Sequence, residues 1–198
     1  MNNYGINIWS DDNFVIEDGL AKINHDCKPS LISIVKDIRK QDFKGPLLLR
    51  FPHITEKQIN TLYNTFNASI KEYDYKGNFN AVFPLKVNQL PNFIHPLINE
   101  GKKFNYGLEA GSKAELVIAM TYNNINSPIT VNGFKDKEMI HLGFIAKSMG
   151  HDITLIIEGL NELEMIIEVL NETKMEAPSI GLRVRLHSGG SGLWAKSG

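Results

Sequence analysis

The sequence predicts an α/β fold of the (β/α)₈-barrel kind, and three observations carry that expectation. Short apolar runs alternate with amphipathic segments at intervals of roughly 20 to 30 residues, the rhythm of parallel βαβ units. A polar residue follows most of the runs: Lys86 and Asn88, Glu109, Asn132, Glu158 and His187. In a barrel such strand ends converge on one face, where active sites sit. No G-x-G-x-x-G follows the first strand of the alternating region, which weakens a dinucleotide-binding sheet. A doubly wound open sheet remains the other architecture that fits the rhythm.

Residues 4–24 read as short strands. Tyr4 to Trp9 and Phe14 to Glu17 flank the turn Ser10-Asp11-Asp12-Asn13, and Asp18-Gly19 marks a second turn before Leu20 to Ile23; turn residues between apolar runs are a hairpin signal. Ser30 to Arg39 is helical, with Leu31, Ile34, Val35 and Ile38 on one face. Leu47 to Phe51 reads as a buried strand. Thr55-Glu56-Lys57-Gln58 is a capping-box pattern opening a helix near Glu56 to Glu72. Ala81 to Leu85 is the second strand. Pro91 to Asn99 is helical, kinked or shortened at Pro96. Phe104 to Glu109 is the third strand, and the capping box Ser112-Lys113-Ala114-Glu115 opens a helix to Tyr122. Pro128 to Val131 is the fourth strand, followed by a helix from Asp136 to Met149. Ile153 to Ile157 is the fifth strand, and Asn161-Glu162-Leu163-Glu164 caps a helix to Glu172. Ser179 to Leu186 is the sixth. A barrel needs eight strands and ~250 residues, so the tally and the stop at Lys196-Ser197-Gly198 read as a break within a fold.

Composition narrows the function classes. The 198 residues are 42% hydrophobic and 22% charged, enough apolar content for a core. A net charge of -1 gives no electrostatic footprint for nucleic acid or an anionic membrane. No window approaches the ~20 apolar residues of a membrane span, and the N-terminal residues carry no signal-peptide pattern. The single cysteine, Cys27, forms no intrachain disulfide, which fits a reducing compartment and a cytoplasmic location. It sits in a loop-like stretch. Six scattered histidines show no zinc-ligand spacing.

The chemistry centres on Lys86. A buried strand ending at Leu85 places an ammonium group at the edge of an apolar interior, and burial lowers a lysine's pKa. The resulting amine can attack a carbonyl to form a Schiff base. The competing reading is a lysine past a strand with its head in water. Glu109 either faces Lys86 or caps the next helix. Glu115 either belongs to the site or serves only as the capping-box partner of Ser112. Arg183 lies on an apolar strand, where a cation needs a partner; it either contacts a ligand or pairs with an acid of the neighbouring strand. Arg185 points to the same side. Asn88 either positions a ligand or satisfies backbone groups. The Gly189-Gly190-Ser191-Gly192 loop is a weak phosphate-binding signal.

Val82-Phe83-Pro84-Leu85-Lys86-Val87-Asn88-Gln89 resembles the pyridoxal-phosphate lysine motif of the alanine-racemase-like basic amino acid decarboxylases. Tyr4-Gly5-Ile6 to Trp9-Ser10, Asn105 to Leu116, Asn132-Gly133-Phe134-Lys135-Asp136, Gly181 to Ser188 and Gly190 to Gly198 are similar to the biosynthetic arginine decarboxylases, of which the chain resembles the N-terminal portion. The resemblance implies a partial pyridoxal-phosphate-binding (β/α)₈ barrel of the alanine-racemase type over residues 29–198. It would be preceded by a short N-terminal β-segment, 1–28, belonging to a β-domain completed elsewhere.

It further implies Lys86 as the catalytic Schiff-base lysine, with Lys86, Glu109 and Arg183 binding the cofactor, pyridoxal 5'-phosphate. The reaction implied is decarboxylation of L-arginine to agmatine and CO₂ for polyamine and spermidine synthesis, in a homo-oligomer. Magnesium is implied by the resemblance alone, with no metal-ligating residue to name. The chain by itself is expected to be inactive. Two other readings stand beside this one: a non-catalytic unit needing a complementary C-terminal chain, and another decarboxylase or racemase of the same fold.

Overall fold

A computed structural model describes residues 5–184, and structural statements refer to these. The chain divides into two compact units, Met1–Ile54 and Thr55–Gly198. In the first, Ile6–Trp9 is a single helical turn, α1, and not the expected strand. Gly5 enters it with φ 65°, a left-handed conformation that glycine adopts without steric cost. The Ser10 N–H closes the turn on the Ile6 carbonyl. The hairpin lies one segment later: β1 (Phe14–Glu17) pairs antiparallel with β2 (Leu20–Ile23). Asp18 and Gly19 both have positive φ, as a two-residue type I′ turn requires. α2 (Leu31–Lys40) forms as expected, with the Ser30 hydroxyl accepting the Ser33 N–H at 3.1 Å as its N-cap.

Leu47 to Phe51 is not a strand. Its residues alternate between half-buried and exposed, and Phe51 packs edge-on against Phe14 at 5.3 Å. An apolar run reports burial, but it cannot report whether a neighbouring strand is there to pair with it. The next helix, α3 (Pro52–Glu72), starts a turn before the capping box. Proline is pre-organised for the first helical position, and Thr55 lies inside the helix.

In the second unit, Tyr63 of α3 leads the chain into the sheet. Its buried ring stacks on Phe104 at 4.4 Å, and its hydroxyl accepts the Ala81 N–H at 3.2 Å. Five parallel strands follow with their helices: β3 (Val82–Pro84), α4 (Pro91–Gly101), β4 (Gly107–Ala110), α5 (Lys113–Tyr122), β5 (Pro128–Val131), α6 (Lys137–Ser148), β6 (Asp152–Ile157), α7 (Leu160–Thr173) and β7 (Ser179–Leu182). The first of the six expected parallel strands, Leu47 to Phe51, is the one that does not form, so the described residues hold five. β4 starts later than expected because Lys102–Phe104 is a 3₁₀ turn ending at Asn105, φ 55°, a conformation asparagine tolerates. α4 continues through Pro96 to Gly101.

The sheet order is β3-β4-β5-β6-β7. Each strand adjoins the next in sequence with no reversal, so the winding is that of a barrel wall and not of a doubly wound sheet. Leu108, Ala110, Ile129, Val131, Ile153, Leu155 and Ile157 are buried with Ile140, Phe144, Ile166 and Val169 of α6 and α7. This is the helix-covered core. The register aligns Pro84, Glu109, Thr130, Thr154 and Ser179 across the other face.

Gly107 is required where β4 meets β5: a Cβ there would lie 1.9 Å from the Pro128 carbonyl oxygen. Gly107→Ala is expected to lower unfolding stability by about 1–3 kcal/mol, the cost of overpacking a fixed backbone. The check is the denaturant midpoint of the variant against wild type.

Candidate active site

The C-terminal ends of the five strands form one edge of the sheet, and the sequence-predicted site residues stand along it. Pairing of β3 with β4 continues one residue past β3, where the Leu85 N–H donates to the Glu109 carbonyl at 2.9 Å. The chain then turns, with the Val87 N–H on the Pro84 carbonyl at 3.0 Å. Leu85 fills the core, and Lys86 stands outside it with 70% of its side chain exposed. Burial as the source of a reactive amine is therefore corrected: Leu85 is the buried residue. What the strand end supplies is a neighbour, because Lys86 Nζ lies 3.9 Å from Glu109 Oε1. The Glu109 side chain is only 20% exposed. It does not cap α5; the Ser112 hydroxyl does so, accepting the Glu115 N–H at 3.3 Å.

Glu115 ties this corner together. One carboxylate oxygen accepts the Gly111 N–H at 2.7 Å, and the other accepts from the Gln89 side-chain amide at 3.2 Å. The loop that carries Lys86 is thus fastened to the start of α5. Asn88 takes the local role, its side-chain oxygen accepting the Leu90 N–H at 3.0 Å.

Arg183 stands just past β7, because the strand ends at Leu182 and not at Leu186. Its N–H donates to the Ile157 carbonyl at 3.0 Å, which sets it beside Glu158. The guanidinium donates to Glu158 Oε1 at 3.1 Å and is 60% exposed, against 15% for Glu158. Lys86–Glu109 and Arg183–Glu158 are thus two cation–carboxylate pairs on the same strand-end edge. Arg185, His187 and the Gly189–Gly192 loop lie outside the described residues.

One buried pair was not foreseen. Lys135, in the loop after β5, has a fully buried side chain whose ammonium lies 3.0 Å from Glu162 Oε2. Glu162, in the first turn of α7, also accepts the Lys135 N–H through Oε1 and the Glu158 N–H through Oε2, each at 2.9 Å. The expected cap at Asn161 is corrected accordingly: Gly159 is the N-cap, and Glu162 reaches back past it. The sequence signal was present as an acid three residues into a helix, a spacing that normally serves the helix's own backbone. Nothing in the sequence pairs it with a lysine 27 residues away. Asn132, at the end of β5, was foreseen only as a polar strand-end residue; its side-chain oxygen is buried without a protein partner among the described residues.

No family model matches the chain. Relatives do. The biosynthetic arginine decarboxylase of Prochlorococcus marinus strain AS9601 is 36% identical over 203 residues, covering 100% of this chain and 31% of the relative. That of Bacteroides thetaiotaomicron is 36% identical over 200 residues, covering 98% and 32%. The crystal structure of the biosynthetic arginine decarboxylase SpeA from Campylobacter jejuni superposes with a TM-score of 0.91 at 60% identity, over 94% of this chain and 32% of that one. In sequence and fold the chain is similar to part of the biosynthetic arginine decarboxylases. It spans about a third of the length of these relatives. Diaminopimelate decarboxylase from M. jannaschi superposes with a TM-score of 0.63 at 25% identity, so the five-stranded wall is part of an alanine-racemase-like barrel.

Glu162 contributes to the acid sensitivity of the fold. Burial pushes its carboxyl up, but the Glu158 and Lys135 N–H groups and the Lys135 ammonium outweigh that, and its pKa lies below the ordinary 4.5. A depressed carboxyl stabilises the fold fully above its unfolded value and loses that contribution as pH falls through the folded one. Glu162→Gln is expected to cost about 3–5 kcal/mol near neutral pH, as removing one partner of a buried pair does. The deficit relative to wild type should shrink below pH 4.5. Urea denaturation across that range is the check, and a deficit independent of pH would refute the assignment.

Proposed function

We propose that this chain supplies the lysine-bearing wall of a pyridoxal-phosphate-dependent arginine decarboxylase, which converts L-arginine to agmatine and CO₂. The observation that carries the reading is that Lys86–Glu109 and Arg183–Glu158 stand along one strand-end edge, in a chain 60% identical to part of an arginine decarboxylase of known structure. The fit to the cofactor rests on the chain's own groups. Lys86 offers an accessible amine, and Arg183 offers an exposed planar donor for an anion. Asn132 offers a buried acceptor. The sheet face between them carries the short hydroxyl side chains of Thr130, Thr154 and Ser179, with Ile156 packed over Gly181 beside them.

In this reading Lys86 is the catalytic residue that bonds the cofactor through its amine. Glu109 keeps a negative charge beside that amine and orients it. Arg183 holds an anionic group, with Glu158 setting its position. The bound cofactor would act as an electron sink for loss of the substrate carboxylate. Polyamine and spermidine synthesis, a cytoplasmic location and homo-oligomeric assembly accompany this reading. So does the N-terminal segment 1–28 as part of a β-domain completed elsewhere. For magnesium, which the resemblance alone suggests, the described residues contain no group of three or more His, Cys, Asp or Glu arranged to hold a metal ion. No helix among the described residues is long and apolar enough to cross a membrane.

Turnover needs the complete barrel, so binding is tested before activity. Pyridoxal phosphate is mixed with the chain, reduced with borohydride, and the labelled peptide is identified by mass spectrometry. The label is expected on the peptide containing Lys86, and it should be lost from that peptide in Lys86→Ala, which has no amine there to form and reduce an imine. Labelling spread over the exposed lysines and unchanged by Lys86→Ala would refute the site. Agmatine formed from arginine by the 198-residue chain alone would refute the need for the remaining barrel.

A further inference from the structure

We propose that the buried Lys135–Glu162 pair is a positioning device for Arg183, acting through Glu158. Three contacts make the chain of influence continuous. The Glu162 carboxylate is held by the Lys135 ammonium at 3.0 Å and by the Lys135 N–H at 2.9 Å. Its Oε2 also accepts the Glu158 N–H at 2.9 Å. Glu158 in turn holds the Arg183 guanidinium at 3.1 Å. A carboxylate on α7 therefore fixes the backbone of the residue after β6, and that residue aims the acid that holds the arginine after β7.

The coupling has a physical reason to be rigid at one end and adjustable at the other. Lys135 and Glu162 have side chains 0% and 3% exposed, so neither finds water as an alternative partner, and a buried charge left unpaired is strongly unfavourable. Arg183 is mostly exposed, and its bond to Glu158 competes with water. A guanidinium carries five N–H donors, so the bond to Glu158 leaves others for an anion. The buried pair fixes where Glu158 stands, and Glu158 fixes where those donors point. That they grip an anionic cofactor group rests on the pyridoxal-phosphate reading; the coupling itself does not.

The test measures the rate at which phenylglyoxal modifies Arg183, read by peptide mass spectrometry, with a thermal melt recorded for each variant. Glu158→Gln weakens the direct partner and is expected to accelerate modification about two- to fivefold, the range an exposed ion pair allows. Two double variants then separate positioning from stability. Lys135→Met with Glu162→Leu removes both charges and the acceptor for the Glu158 N–H. Lys135→Met with Glu162→Gln removes both charges but keeps an amide oxygen there. Removing a buried pair together is often tolerated by the fold.

Acceleration matching Glu158→Gln in the first double variant, with a rate near wild type in the second, is the expected result. Equal rates in the two double variants would overturn the proposal. Where the first double variant does not fold, the wild-type chain decides by NMR. The Glu158 amide and the Arg183 side-chain resonances are expected to shift with the Glu162 carboxyl on acid titration, and an Arg183 signal that ignores Glu162 would overturn the coupling. A separate arm adds pyridoxal phosphate to wild type. Slower modification of Arg183 supports the anion-binding role, and an unchanged rate counts against that role while leaving the coupling intact.

Discussion

Two of the second unit's strand-end loops depend on one buried carboxylate. Glu162 collects an ammonium and two backbone N–H groups from two different loops. Desolvating a carboxylate and an ammonium costs several kcal/mol each after relaxation, so such a pair persists only where further hydrogen bonds satisfy the remaining lone pairs. That condition is met here, and it has a geometric consequence. The loop after β5 and the loop after β6 are tied to the same point at the start of α7. Asp136, one residue past Lys135, is then placed to cap α6, accepting the Met139 N–H at 2.9 Å. The helix that follows lays Phe144 and Ile140 onto the sheet.

Lys86 stands in the opposite regime. Its ammonium is exposed and its carboxylate neighbour is 3.9 Å away, a geometry worth at most about 1 kcal/mol when one partner is open to water. Its position comes from the backbone: the Leu85 N–H on the Glu109 carbonyl, the turn closed at Val87, and the Gln89–Glu115–Gly111 tether. The same device recurs in both tethers. An acid in the first turn of a helix, Glu115 in α5 and Glu162 in α7, reaches back to the N–H of the residue before the cap, Gly111 and Glu158. Each gives a partner to a backbone N–H just outside its helix and in the same act pins the loop at a strand end.

The sequence showed the alternation of strands and helices from Ala81 to Leu182 because each apolar run was bounded by caps and turns that act locally. Ser112 and Asp136 are caps of that kind, each bonding the N–H three residues on. The failures fall where a distant partner decides. Leu47 to Phe51 has a strand's composition and lacks a strand to pair with. Tyr4 to Trp9 has β-prone residues, but Gly5 turns the chain into a helical start. Lys86, Glu109 and Arg183 were legible as strand-end polar residues, helped by a motif resemblance. The Lys135–Glu162 pair was not legible, because a lysine in a loop and an acid in a helix's first turn are each complete as surface residues. Only the register of β5 against β6 brings them together.

That register also bears on what the other face of the sheet is for. Parallel strands covered on both sides read as continuous apolar runs, and barrel interiors are usually filled by layers of bulky branched side chains. Here the helix-covered side is apolar, with Leu108, Ala110, Ile129, Val131, Ile153, Leu155 and Ile157. The row across the opposite side reads Pro84, Glu109, Thr130, Thr154, Ser179. One carboxylate and three hydroxyls in line would be costly to bury against hydrocarbon, and the same groups are well suited to a polar ligand. A barrel closed around this wall would hold a hydrogen-bonding interior in place of a packed apolar one. The Lys86 amine stands at its upper rim, in the turn just past Pro84 and 3.9 Å from the Glu109 carboxylate of that face. The selection of small and polar residues along that row is therefore the feature of the fold that most directly argues for a ligand held between the strand ends.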